Sequence, residues 1–230
     1  MLFGWYFDST LLIIIPGIIF SIWAQIKVNT SFSRYSKVSS LKGITGAMAA
    51  QAILRANGIT DVDVVHISGN LNDHYSPKEK VIRLSDNVYG ATSIAAIGVA
   101  AHEAGHAVQY AKGYSLIKIR MAIVPVVNIG SNLSMPILLV GILLANEYVM
   151  MIGIALFALA VIFQLVTLPV ELDASKRAIR AIESEALLDT DEVDGARAVL
   201  SSAAMTYVAA LVSSLLSLLR LLAIANRSRR

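Results

Sequence analysis

The sequence predicts a mainly α-helical, polytopic membrane protein with three to four transmembrane helices and a small α+β domain set between the first of them and the rest. Three observations predict it. Of 230 residues, 56% are hydrophobic and only 15% charged, with a mean hydropathy of +0.67, too apolar for a soluble domain of this length. Several uncharged runs approach or exceed the roughly 20 residues that a helix needs to cross a bilayer core about 30 Å thick. Between the first two such runs lies a polar stretch in which helical and strand-like patterns alternate.

The first run, residues 9–26, lies between Asp8 and Lys27, with Trp5, Tyr6 and Trp23 near its ends as interfacial anchors. No positive charge precedes it and no small-x-small site follows, so it reads as a retained span and not a signal peptide. The polar stretch follows. Residues 46–57 have helical spacing closed by Gly58, a C-cap residue. Residues 61–68 alternate and residues 80–85 are β-prone, which predicts a strand pair joined by the turn-rich segment 69–77. From residue 93 to 111 the pattern is helical again. Residues 121–146 and 148–170 form a tight hairpin of two spans around Glu147; Pro125, Asn128, Asn132 and Pro136 make the first of these partly polar, tolerable in lipid if they face neighbouring helices. Residues 198–219 form the last apolar run, before Arg220 and a basic tail. The expected division is an N-terminal transmembrane helix at 1–26, an α+β domain at 27–120, the hairpin at 121–170, a helical region at 171–197, and a membrane helix with basic tail at 198–230.

The chemistry sits on the predicted helix 93–111, where His102, Glu103 and His106 form H-E-x-x-H. Residues four apart share one helix face with Cβ atoms about 5–6 Å apart, so both imidazoles can reach one ion. Glu103, about 100° round the helix, can stand beside the ion's water without coordinating the ion, which makes it the candidate general base for hydrolysis of an amide or ester. With 4 His in 230 residues, a chance H-E-x-x-H has a probability on the order of 0.002. The 0 cysteines exclude disulfides and thiolate ligands, which leaves His, Asp and Glu to hold the expected Zn²⁺. A hydrolytic site needs a third protein ligand and one open position. The hairpin carries the chain away from His102 and back, so Glu171 returns to the membrane face that holds the histidines. Asp173, His66 and His74 are the alternatives.

These residues resemble a family. The segments 73–77, 81–85 and 99–109, together with 169–175 and Tyr207-Val208-Ala209-Ala210, are similar to the YugP-type membrane zinc metallopeptidases over nearly the whole chain, and more distantly to gluzincins of the HtpX and CAAX prenyl protease kind. The resemblance implies a zincin-like domain, peptide-bond hydrolysis, membrane proteins or peptides as substrates, and Glu171 as third zinc ligand. Ser175 departs from the distant pattern, which has Asp there; a carboxylate that orients a histidine is then missing or supplied by Asp173. Arg177 falls where those relatives carry a basic residue.

The net charge of +3 is scattered, so these cations read as membrane flanks and no nucleic-acid partner is expected. The cations between Lys27 and Arg120 and at Lys176, Arg177 and Arg180 favour a metal site on the cytoplasmic side of the cell membrane, although a basic tail after a fourth crossing runs against that rule. The strand at 80–85 is expected to offer a sheet edge to an extended substrate. Two other functions fit part of the sequence: a membrane scaffold with a structural zinc, and a small transporter using Asn128, Asn132 and Gln164.

Overall fold

A computed structural model describes residues 10–228; Trp5 and Tyr6, expected as anchors, and the tail residues Arg229 and Arg230 lie outside them. Among the described residues, seven helices and three short strands follow one another: α1 Leu11–Tyr35, α2 Gly46–Ala56, β1 Asp63–His66, β2 His74–Ser76, β3 Val81–Leu84, α3 Asp86–Tyr89, α4 Ile94–Ala111, α5 Ser115–Leu143, α6 Glu147–Ser184 and α7 Thr190–Ser228. Helices α1, α5, α6 and α7 are long and apolar enough to cross a membrane. Their ends follow local chemistry. Thr45 and Ser93 cap α2 and α4 by accepting from the amides of Met48 and Ala96, and Asn146 caps α6 by accepting from Val149.

The four long helices extend past the membrane-length segments. Helix α6 runs unbroken from Glu147 through Glu171 to Ser184, and α7 starts at Thr190, so their inner halves join α2, α4 and the sheet in one core around Ile53, Ile82, Ile97, Ala104 and Ile182. At the far end, Leu138, Met150, Ile154, Leu221 and Ala225 form a second cluster. Helix α7 therefore reaches the same depth as the α5–α6 turn, which makes the last apolar run a full-length partner of the hairpin. Helix α1 lies antiparallel to α7 through small residues: Ser21 Oγ and Ser213 Oγ are 2.9 Å apart, and Ser213 Oγ donates to the Gly17 carbonyl at 3.1 Å.

Two expectations change. The turn-rich segment contains a strand, β2, too short at three residues to show alternation in the sequence. It pairs antiparallel with β3 while β1 pairs parallel on the other side, in the order β1-β3-β2. Strand β3, within the segment expected to offer a sheet edge, is thus the centre of the sheet; the edge beside α4 belongs to β2. The second change concerns Asn128 and Asn132. Helix α5 meets α6 through Val127, Gly130, Ser134, Leu138 and Gly141, all buried, and this turns the two asparagines outward instead of toward a neighbour.

Gly105 sets the spacing of the helices that carry the site. A Cβ there would lie 2.7 Å from the Ala174 carbonyl oxygen, so α4 and α6 touch backbone to backbone. Alanine gains about 1 kcal/mol in helix propensity, but a clash with backbone cannot relax by side-chain rotation and costs about 1–3 kcal/mol. Gly105→Ala is expected to lower the unfolding midpoint of the metal-free protein and to weaken zinc uptake, because α6 carries Glu171; thermal unfolding with and without chelator measures both.

Candidate metal centre

Helix α4 is buried almost all round, and on it His102 and His106 stand one turn apart with ring centroids 4.7 Å from each other. Helix α6 brings Glu171 to them. Its Oε2 lies 3.2 Å from His102 Nε2 and 3.5 Å from His106 Nε2, and the donor atoms of the three residues are all within 4.8 Å of one another. Zinc held tetrahedrally at about 2.0–2.1 Å separates its ligands by about 3.3–3.4 Å, so both carboxylate–imidazole separations match the edges of such a site. Two neutral imidazoles and a carboxylate are also the donor chemistry that zinc accepts. The structure thus brings together His102, His106 and Glu171. It leaves His66 apart, paired with Asp86 at 2.6 Å, and His74 at the mouth, its Nδ1 on the Asn72 carbonyl at 2.8 Å.

The surroundings orient each donor. Gln109 Nε2 donates to the Val170 carbonyl and to Asp173 Oδ2, both at 2.8 Å, so its Oε1 must accept, and the partner at 3.0 Å is His106 Nδ1. His106 therefore carries its proton on Nδ1 and turns the Nε2 lone pair toward Glu171. Ser175 Oγ lies 3.1 Å from His102 Nδ1 and takes the orienting position in which a carboxylate was expected. Asp173 acts on the other histidine, through Gln109. Arg177 is bonded to Asp173 at 2.6 Å and stacks over Tyr114, away from the donors. The cation at the site is Arg120, 2.9 Å from Glu171 Oε1, which offsets the cost of burying that carboxylate and leaves Oε2 for the histidines. Burial alone pulls the His106 imidazole toward its neutral form, but the carboxylates of Glu171 and Glu103 outweigh it and hold its proton more firmly than usual; proton and metal compete there.

Removing the Ser175 hydroxyl frees the His102 ring to rotate. Ser175→Ala is expected to weaken zinc binding about 10- to 100-fold, read by competition with a chelating dye, and Ser175→Asp to restore it.

Two cavities meet at this centre and share Asp73, His102, Glu103, Glu171 and Tyr207. One, of about 430 Å³, opens between α1 and α7 and is walled by Val28, Phe32, Val199 and Ala203. The other, of about 300 Å³, lies under β2 and the start of α5, with His74, Tyr75, Ile117, Arg120, Met121 and Val124. Glu103 is buried at their junction.

Comparison with known proteins agrees with this chemistry. Residues 10–226 match the family described as putative neutral zinc metallopeptidase. The chain is 47% identical over 209 residues, 91% of its length and 93% of the relative's, to a Bacillus subtilis protein named putative membrane protease YugP. No solved structure matches.

Proposed function

The chain belongs to the putative neutral zinc metallopeptidase family as a multi-pass membrane protein, and on that premise we propose that it hydrolyses peptide bonds as a gluzincin, with His102, His106 and Glu171 as zinc ligands and Glu103 as general base. The observation that carries the reading is the convergence of these three donors, one from each ring and one carboxylate, beside a second carboxyl group, Glu103, that is not among them. Three protein donors leave a coordination position for water, as hydrolysis requires and a closed structural site does not.

Zinc, when bound, supplies a Lewis acid that acidifies water and polarises a carbonyl. Glu103 receives the proton of the attacking water and passes it to the departing amine. Gln109 and Ser175 keep the imidazoles aimed, and Arg120 holds Glu171 with one oxygen free. Tyr207, which faces both cavities beside Glu171, offers its hydroxyl to the carbonyl oxygen as it gains charge. Among the described residues, β2 has one edge without a strand partner next to the second cavity, and an extended substrate adding there would pass Glu103.

The substrates are membrane proteins or peptides, and the centre faces the cytoplasm. The orientation is supported by charge: among the described residues, every Lys and Arg except Arg220 and Arg227 belongs to the ligand end of the helices. A reporter fused in the α5–α6 turn that proved cytoplasmic would reverse it. The function is tested on purified protein by elemental analysis and digestion of casein. One zinc per chain and cleavage that stops on chelation are expected; wild-type protein without zinc would sink the reading.

A further inference from the structure

The two asparagines that turned outward on α5 stand where a polar side chain is costly. Arg120 is the last charged residue before the apolar run, and at 1.5 Å per residue Asn128 and Asn132 lie about 12 Å and 18 Å beyond it, near the middle of a hydrocarbon core about 30 Å thick. Both are exposed, and neither has a hydrogen-bond partner among the described residues. Two prolines add acceptors to the same stripe: Pro136 and Pro125 lack an amide hydrogen and so release the carbonyls of Asn132 and Met121 from the helix ladder. Carboxamides and free carbonyls at that depth call for donors and acceptors on another transmembrane helix.

The stripe also has a direction. Ile117, Met121, Val124, Asn128 and Asn132 follow one another at spacings of three and four along α5, so they occupy one face of the helix. The first three, together with Arg120, form the α5 wall of the cavity that holds Glu103 and the metal donors. One continuous helix face therefore runs from mid-bilayer to the reaction centre. A second copy of the chain seated on it would cover the cavity's own wall, whereas a substrate helix seated on it would deliver the chain emerging from its end into the cavity.

We propose that this face of α5 docks the transmembrane helix of the substrate, selecting membrane proteins with hydroxyl or carboxamide side chains in mid-span and presenting the residues just outside the bilayer for cleavage. The inference rests on the peptidase reading for the cut, but not for the docking. Helix pairs of this kind gain enough from polar contacts to discriminate by on the order of ten-fold.

The test uses the full chain in phosphatidylcholine vesicles with two synthetic single-span polypeptides that share one juxtamembrane linker, one with Ser and Asn in mid-span and one with leucines only. Wild type is expected to cut the polar-span polypeptide about ten-fold faster by kcat/KM, and Asn128→Leu/Asn132→Leu to bring the ratio to about one. A ratio that survives the double substitution overturns the proposal. Because the chain has 0 cysteines, Asn132→Cys provides a readout that needs no cleavage. Cross-linking to a mid-span cysteine of the polar polypeptide, in excess of that from Ile22→Cys on the outer face of α1, supports docking. Equal yields overturn it, as does an Asn132→Cys adduct formed only between two copies of the chain. Cross-linking without any cleavage by zinc-loaded wild type would leave docking standing and remove the peptidase reading.

Discussion

Replacing Glu103 by glutamine is expected to lower hydrolysis about 10²- to 10⁴-fold while zinc stays bound at the wild-type stoichiometry. The two halves of this result come from different features of one side chain. Glu103 is not one of the three converging donors, so removing its charge leaves the metal's partners intact. Glutamine keeps its volume, which matters because the position is buried on the helix that anchors the core, and a smaller residue would leave a void there. What glutamine cannot do is take a proton. The acidic residue best placed to substitute is Asp73, which lines both cavities, but its carboxylate already accepts from the Ser85 amide at 2.7 Å and from the Ser85 hydroxyl. Zinc analysis beside casein digestion checks the prediction. Activity surviving in Glu103→Gln would move the base to Asp73 or end the gluzincin assignment, and zinc lost with activity would make Glu103 a ligand.

What the sequence disclosed of this centre depends on how far apart the contributing residues lie along the chain. His102, Glu103 and His106 share one helical turn, so their geometry follows from the helix repeat alone. Glu171 was legible by topology, because a hairpin of two spans must return to the side it left. The groups that orient these donors were not. Ser175 reaches His102, and Gln109 reaches Val170 and Asp173, only through the rotation of α6 against α4, which is set by the close approach at Gly105. Two signals were nonetheless present. Gln109 is the fully buried amide three residues past His106 on an apolar helix, and a buried amide must bond to something. Arg120, like Glu171, is the charged residue at the edge of an apolar run, and opposite charges at two edges of one hairpin end at the same depth. The strands show the same limit. β3, with three of its four residues buried, was visible as a β-prone run, whereas β2 is defined only by its partner.

Substituting Glu171 separates its two duties, and the outcomes should differ between glutamine and alanine. Both remove a negatively charged ligand oxygen, so both are expected to weaken zinc binding more than about 100-fold, beyond what loss of an orienting group costs, and to abolish zinc-dependent cleavage at ordinary metal concentrations. Their effects on the metal-free fold diverge. Glu171 is 3% exposed, and its Oε1 holds Arg120, whose side chain is 28% exposed. Alanine leaves that guanidinium without its partner in a largely enclosed site, and breaking a buried pair in this way costs about 3–5 kcal/mol; the partial exposure of Arg120 reduces the expected loss to about 1–3 kcal/mol. Glutamine retains a carbonyl oxygen that accepts from Arg120, so metal-free Glu171→Gln should unfold close to metal-free wild type. The comparison must be made in chelator, because a bound ion stabilises wild type by mass action and would exaggerate both losses. Adding Arg120→Leu sharpens the test: in Glu171→Ala it should restore stability by removing the unpaired charge, and in wild type it should destabilise by stranding the carboxylate. If the two substitutions are instead additive, Arg120 does not stabilise Glu171, and the ligand's orientation must come from the histidines alone.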